Sequence, residues 1–145
     1  MPTVKHVLDR KGRDVHSISP EASVFDALKV MDDHDIGALV VLDEGRLVGL
    51  ITERHYSREI ILKGKTSPRT RVGDIMSTKV ICALPQQSVE ECMAVMTARA
   101  VRHLPVLEHK QVVGVVSIGD MVKAVIDDQK FIIEQLEHYI HGHVH

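Results

Sequence analysis

Apolar residues recur along the chain at the spacing of one helix face, and they do so twice. In each stretch they stand at positions i, i+3, i+4 and i+7, which predicts a helix with one buried face. A serine precedes each stretch, and an acid follows that serine after three residues, which is the spacing of a capping box. The residues are Ser23, Val24, Asp26, Ala27, Leu28 and Met31 in the first stretch, and Ser88, Val89, Glu91, Cys92, Met93 and Met96 in the second.

A short apolar run precedes each of these helices, and two further apolar runs follow it. The preceding runs, Val15–Ile18 and Val80–Ala83, predict short strands, each closed by a nearby proline. The following runs are joined by short polar stretches and predict hairpins, "ALVVL" with "RLVGLI" and "LPVL" with "QVVGVV". Thr52 and Ser117 then begin a second helix, so each unit reads β-α-β-β-α.

The two units are copies of one sequence pattern. A shift of 65 residues aligns 15–58 with 80–123 without a gap, and it places Gly49 on Gly114. Two copies are too few for a solenoid, which needs a longer stack of repeats. We therefore expect two similar units that pack about a pseudo-twofold axis.

Three segments lie outside the two copies. Residues 3–10 predict a short leading helix, and the polar residues 63–72, with a glycine and a proline, predict a linker. The last helix is predicted from Met121 to about Ile140. Its apolar stripe is longer than one small unit needs, so we expect part of it to cover a partner chain.

Composition limits the classes of protein to which the chain can belong. At 145 residues and 44% hydrophobic, with no Trp, two Phe and two Tyr, it can form an aliphatic core. The net charge of −2 comes from mixed acids and bases, which argues against nucleic-acid binding. The apolar runs are too short to span a membrane, the N-terminus has no signal-peptide core, and the two cysteines form no disulfide framework. We therefore predict a cytoplasmic protein that binds neither nucleic acid nor membrane.

Four short motifs carry a resemblance to a known family. They are "VGDIMS" at 72–77, "VRHLPVL" at 101–107, and the glycine-led turns "GLITERH" at 49–55 and "GVVSIGD" at 114–120. Together with the repeat, they make the chain resemble a tandem pair of cystathionine-β-synthase-type (CBS) domains over roughly residues 7–128. This arrangement is called a Bateman module, and here it is similar to the stand-alone signal-transduction type.

The resemblance implies an α/β (α+β) fold of two pseudo-twofold-related β-α-β-β-α repeats packed sheet to sheet. It divides the chain into repeat 1 at 7–64, a linker at 65–72, repeat 2 at 73–130, and a C-terminal helix extension and tail at 131–145. It also implies regulatory binding of adenosine-containing ligands, namely AMP, ADP, ATP, NAD or S-adenosylmethionine. Modules of this family commonly pair, so the resemblance implies a homodimer.

The resemblance further implies that the ligand lies in the cleft between the repeats. Asp120 and Ser117 would hold the ribose, because a carboxylate can accept hydrogen bonds from both ribose hydroxyls. The base would lie against Gly37 and its neighbours, and Arg102 and His103 would bind phosphates. The predicted residues of this site are Ser17, Ile36, Gly37, Ala38, Arg102, His103, Ser117, Ile118, Gly119 and Asp120, and the predicted set also includes Thr52, Arg54, His55 and Arg58 at the first copy of the turn. Taken alone, a serine and an acid at this spacing form a helix cap more often than a ribose site.

The first copy of the turn carries Thr52 and His55 at the positions that Ser117 and Asp120 hold in the second copy. A neutral imidazole has one acceptor and no charge. We therefore predict two unequal sites, with the Asp120 site the better defined, and the alternative is that His55 faces a phosphate. Arg54 and Arg58 fit phosphate binding and a solvated helix face equally well.

The sequence has no P-loop, no dinucleotide-binding glycine pattern and no nucleophile with its base, so we predict no enzyme activity. No metal is expected: His138 and His141 share a helix face, but a polar, frayed terminus explains them better than a metal site does. We interpret the chain as a sensor that binds an adenosine nucleotide and signals in trans to an unknown protein partner. The alternative, suggested by the apolar last helix, is an oligomerisation or protein-interaction module with a vestigial ligand site.

Overall fold

The computed structural model describes residues 2–142, with side chains through Tyr139, and it confirms the mixed α/β fold. The elements in chain order are α1 (Val4–Lys11), β1 (Ser17–Ile18), α2 (Val24–His34), β2 (Ala38–Asp43), β3 (Arg46–Thr52), α3 (Glu53–His55, followed by a π-helical stretch at Tyr56–Ile61), a 3-10 turn (Ser67–Arg69), α4 (Val72–Ile75), α5 (Val89–Arg99), β4 (His103–Glu108), β5 (Gln111–Ser117) and α6 (Ile118–Gly142).

The predicted helix caps and hairpins are confirmed. The Ser23 hydroxyl accepts the Asp26 N–H at 3.0 Å and begins α2, and the Ser88 hydroxyl accepts the Glu91 N–H at 3.1 Å and begins α5. Strands β2 and β3 pair antiparallel, as do β4 and β5. Both hairpins have a register shift at the equivalent place. It follows Val41 in β2 and Val106 in β4. The copies in the sequence are therefore copies in space.

The predicted strand Val80–Ala83 is wrong, and its first-unit counterpart is shorter than predicted. Strand β1 pairs parallel with β2, whereas the second unit keeps only an isolated bridge between Ala83 and Val106. The reason lies in β4, where Pro105 stands at the position of Val40. Pro105 has no N–H, so the ladder cannot extend beyond the bonds that Ala83 makes with the carbonyl of Pro105 and the N–H of Leu107.

The segments ahead of the two units are exchanged between them. Helix α1 precedes the first unit in the chain, yet the Val4 N–H donates to the Gln87 carbonyl at 2.9 Å, at the start of the second unit's α5. The segment ahead of the second unit makes the matching bond in the first unit, from the Val72 N–H to the Ala22 carbonyl at 2.8 Å. We call these segments, residues 2–12 and 70–79, the first and second lead-ins.

The exchange carries over to the two main cores. Buried side chains of the first lead-in pack with the second unit, and those of the second lead-in pack with the first unit. The second unit's core contains Val4, Val7, Leu8, Ala83, Val89, Cys92, Met96, Leu104, Val106, Val116 and Met121. The first unit's core contains Val24, Ala27, Met31, Leu39, Val41, Ile51, Ile60, Val72 and Ile75. Residues 7–11, which the predicted boundaries give to repeat 1, therefore pack on repeat 2.

A third, smaller cluster joins the two sheets. Ala38, Val40 and Leu50 are buried there, and Val112 and Val115 of the second sheet pack against them. This contact supports the predicted sheet-to-sheet packing. It also places Leu50, near the end of β3, against the second sheet.

The last helix is longer than predicted and carries exposed apolar side chains. It begins at Ile118, directly after the predicted cap Ser117, and it continues to Gly142, two residues beyond the predicted Ile140. Phe131, Ile132, Ile133 and Leu136 are each about half exposed or more. Among residues 2–142, no helix is both long enough and apolar enough to cross a membrane.

Each lead-in crosses a hairpin at a glycine that leaves no room for a side chain. A methyl group at Gly49 would collide with the Met76 side chain and would lie 2.9 Å from the Ser77 carbonyl oxygen. At the equivalent Gly114, the colliding group is the Leu8 side chain.

We therefore expect Gly49→Ala to lower the free energy of unfolding by about 1–3 kcal/mol, because a backbone carbonyl cannot move aside as a side chain can. Chemical denaturation measures this change. The control is Gly119→Ala, where the nearest atom, the Ser117 hydroxyl oxygen, is 3.6 Å away; there stability should stay the same or rise. An unchanged Gly49→Ala protein would mean that the lead-in is not held tightly against the hairpin.

Candidate functional site

A cleft of about 690 Å³ lies between the two units. Both units and the second lead-in contribute to its wall. The lining residues are Gly37, Leu50, Thr52, Glu53, Arg54, His55, Arg58, Glu59, Ser77, Lys79, Val80, Ile81, Ala100, Val101, Arg102 and His103. A cleft of this volume is within the range of sites that hold small molecules and cofactors.

The turn from β3 into α3 forms one end of the cleft. The Thr52 N–H donates to Nδ1 of His55 at 2.9 Å, and the Thr52 hydroxyl lies 3.1 Å from the same nitrogen. Because a backbone N–H can only donate, Nδ1 acts as the acceptor and the ring proton of the neutral imidazole is on Nε2. Half-burial lowers the pKa of His55; Glu59 opposes this shift and Arg54 and Arg58 add to it.

Cationic side chains dominate the polar part of the cleft. Arg54 donates across it to the Ala100 carbonyl at 3.4 Å, a contact between the two units. Arg58, Lys79 and Arg102 also line the cleft. Two acids, Glu53 and Glu59, also line the cleft. Glu59 forms an ion pair at 2.6 Å with Lys63, a residue that does not line the cleft. The cleft therefore favours an anionic ligand.

His103, the first residue of β4, also lines the cleft. The His103 ring is partly buried and lies 3.7 Å from the position that a β-carbon at Gly37 would take. Burial lowers the pKa of His103, although the negative charge of Asp120 acts in the opposite direction. This ring is therefore neutral near pH 7 and offers one donor and one acceptor.

The second turn is closed by a lysine of the first lead-in. Nζ of Lys11 lies 2.7 Å from Oδ2 of Asp120 and donates to the Val115 carbonyl at 2.9 Å. The same carboxylate oxygen accepts the Ser117 N–H at 2.8 Å. Burial works against ionisation of Asp120, but the hydrogen bonds from Lys11 and Ser117 outweigh it and lower the pKa.

The predicted site residues are divided by the structure. Seven of them line the cleft: Gly37, Thr52, Arg54, His55, Arg58, Arg102 and His103. Asp120 instead lines a groove of about 450 Å³ between α1 and α6. Six others line neither space, namely Ser17, Ile36, Ala38, Ser117, Ile118 and Gly119. The ligand-binding roles of all fourteen residues stay predictions.

Sequence reasoning did not include several residues that line the cleft. Val101 could have been found, because the repeat offset carries Ile36 onto it. Lys79 could not, because the lead-ins follow their own offset and reach the opposite unit. Glu53 gave no signal beyond its place in the predicted turn, and Val80 and Ile81 gave none beyond their place in the predicted strand Val80–Ala83.

One of the two weak metal candidates, His138, is not among the residues that line the cleft. His138 lies on the exposed part of α6, and the side chain of His141 lies outside the described residues. Within the described part of the chain, no group of three or more His, Cys, Asp or Glu side chains is placed to hold a metal ion.

The fold and the site define a module of two α/β repeats. The repeats exchange their lead-ins and enclose a cleft between them. A family model of the CBS domain matches residues 4–61 and again 72–127. The chain therefore belongs to the CBS-domain family, as a tandem pair, and the predicted resemblance is confirmed.

Relatives agree with this assignment. The mitochondrial CBS domain-containing protein CBSX3 of Arabidopsis thaliana is 40% identical, over 97% of this chain and 72% of its own length. The solved CBS-domain structure NE2398 is 45% identical, with a TM-score of 0.83 over 86% of this chain and 98% of that one. The CBS-domain pair of protein MJ0100, in complex with 5'-methylthioadenosine and S-adenosyl-L-methionine, is 24% identical, with a TM-score of 0.79 over 88% and 98%; it shows the same fold.

The lowered pKa values of His55 and His103 predict a loss of stability in acid. The fold favours the neutral rings, so stability is complete above the ordinary histidine pKa of about 6.5 and falls as the unfolded chain takes up protons below it. His55→Gln keeps an acceptor for the Thr52 N–H but cannot titrate. We expect it to lose less unfolding free energy than the unmodified chain between about pH 7.5 and about pH 5.5.

Denaturant titrations at the two pH values measure this difference. His109→Asn is the matched control, since His109 lies on the exposed β4–β5 turn away from the cleft, and it should lose as much stability as the unmodified chain. Equal losses in the His55→Gln and unmodified proteins would contradict the prediction.

Proposed function

We propose that the chain is a non-catalytic regulatory module that binds an adenosine-containing ligand in the cleft between its two units. The observation that carries this proposal is the cleft itself, because both units line it and it is large enough for a nucleotide. The candidate ligands are AMP, ADP, ATP, NAD and S-adenosylmethionine. The MJ0100 pair supports this class, since both of its bound molecules contain adenosine.

The lining suggests how such a ligand would lie. Leu50, Val80, Ile81 and Val101 offer apolar surface for a base, and Arg102 with the other lining cations suits phosphates. The sequence favoured the Asp120 turn as the better site. We now favour the cleft at the first turn, because Lys11 already neutralises Asp120.

The regulatory step follows from the position of the cleft. A ligand that contacts both units stabilises the arrangement in which those contacts form, and it shifts the population toward that arrangement. A protein partner that recognises this arrangement would then read the ligand concentration. We propose that this happens in trans and in the cytoplasm, although the Arabidopsis relative is a mitochondrial protein.

Replacement of Arg102 tests the cleft. The Arg102 side chain lines it, so Arg102→Gln should weaken binding of the preferred nucleotide about ten- to hundredfold, through the loss of hydrogen bonds to a charged group. Native mass spectrometry of freshly purified protein identifies the preferred ligand, and calorimetric titration measures its affinity. Arg99→Gln, an exposed change on α5, is the control and should bind normally. Unchanged affinity in Arg102→Gln would contradict the proposal that the nucleotide binds in this cleft.

A second candidate function is oligomerisation. The observation that favours it is the exposed apolar part of α6, where Phe131, Ile132, Ile133 and Leu136 are 49–58% exposed. Burial of such side chains is the main source of affinity between protein chains. We propose that a second copy of this chain covers them and forms a homodimer, which can exist with or without a ligand in the cleft.

Two charges on α6 test the homodimer. The double change Ile132→Glu with Leu136→Glu should raise the dimer dissociation constant at least about tenfold, since each buried apolar side chain contributes about 1.5–3 kcal/mol. Analytical ultracentrifugation over a concentration series measures this constant. The control is Gln135→Glu, which adds charge to the same exposed stretch. A double variant that dimerises as tightly as the unmodified chain would show that α6 is not the interface.

A further inference from the structure

The two lead-ins deliver equivalent lysines to the two turns. Val4 and Val72 make matching backbone bonds, and a lysine follows each of them seven residues later, Lys11 in the first lead-in and Lys79 in the second. Lys11 reaches the turn that contains Asp120. Lys79 lines the cleft together with His55, which holds the position of that acid in the first copy.

The chemistry at the two turns is opposite. At the second turn, the lysine meets a carboxylate and forms an ion pair. At the first turn, the only acceptor of the His55 ring is already bound to the Thr52 N–H, so the ring can offer only its Nε2–H to the cleft. Among the side chains that the structure describes, neither that Nε2–H nor the ammonium of the exposed Lys79 has a hydrogen-bond or ion-pair partner in the protein. Two donors that line the cleft therefore have no bound acceptor from the chain itself.

Neighbouring charges add to this excess of donors. Arg58 lies three residues after His55 and also lines the cleft. The acid next to it in the chain, Glu59, forms an ion pair with Lys63. The other lining acid, Glu53, lies beside Gly37, 3.9 Å from the position of a β-carbon there. An anion with several acceptor oxygens would satisfy His55, Lys79 and Arg58 together.

We propose that the cleft binds its ligand with a phosphate group, and not a sugar diol, at the His55 turn, held by His55, Lys79 and Arg58. This inference rests on the proposed function, since it assigns the orientation of the ligand in the same cleft. A diol needs an acceptor, which Asp120 could supply at the second turn and His55 cannot. The ligand class is a nucleotide with an exposed phosphate monoester, of which AMP is the simplest.

Three ligands separate the two orientations. The full chain is titrated calorimetrically with AMP, with adenosine, and with dideoxyadenosine monophosphate, which lacks both sugar hydroxyls. We expect AMP and the dideoxy compound to bind within about threefold of each other, and adenosine to bind at least about tenfold more weakly. Inorganic pyrophosphate is the fourth probe and should compete with AMP.

Two substitutions at one position test the role of His55. Both His55→Gln and His55→Asp keep an acceptor for the Thr52 N–H, as Asp120 accepts the Ser117 N–H, so both variants should fold. His55→Gln retains a donor toward the cleft, so it should bind AMP more tightly than His55→Asp does. His55→Asp repels phosphate and gives Lys79 an ion-pair partner, so AMP affinity should fall at least about tenfold.

Lys79→Met should also weaken AMP binding at least about tenfold, with Lys110→Met on the β4–β5 turn as the unaffected control. The inference is overturned if the dideoxy compound binds at least tenfold more weakly than AMP while His55→Asp strengthens AMP binding; the proposed function then stands. If no adenosine ligand binds but pyrophosphate does, through His55 and Lys79, the proposed function fails and the phosphate site stands. If neither binds, both are wrong.

Discussion

The exchange of the lead-ins is the contact on which the rest of the structure depends. Helix α2 begins where the Val24 N–H meets the Thr70 carbonyl at 2.8 Å, and α5 begins where the Val89 N–H meets the Pro2 carbonyl at 3.0 Å. The same segments bury side chains in the two cores, so neither unit has a complete core without the segment that precedes the other. The two units must therefore fold together. The exchanged lead-ins then fix the position of the β3–α3 turn relative to the β5–α6 turn.

This arrangement breaks the symmetry of a nearly symmetric molecule. Equivalent lysines reach equivalent turns, but one meets Asp120 and the other lies near His55. An ion pair between partly exposed groups contributes little to stability, yet it neutralises the Asp120 carboxylate and occupies its Oδ2. The single difference between an acid and a histidine thus separates a turn with an ion pair inside the chain from one whose donors have no acceptor within the protein.

Much of the fold could be predicted from the sequence because it depends on neighbouring residues. The caps at Ser23 and Ser88, the helix faces and the hairpins are set by spacing over a few positions. The strand predicted at Val80–Ala83 was wrong because its pairing depends on Pro105, a residue of another strand that has no N–H to offer. Local apolar composition contains no information about the donors of its partner.

The sequence by itself determined the repeat, the α/β units and seven of the sixteen residues that line the cleft, because one offset carries Gly37 onto Arg102 and His55 onto Asp120. Only the tertiary structure decided which turn is open. Lys11 and Asp120 are 109 residues apart in the chain, and they meet only because the first lead-in packs on the second unit. A contact of that sequence separation is created by the packing of the two cores, and no pattern of nearby residues encodes it.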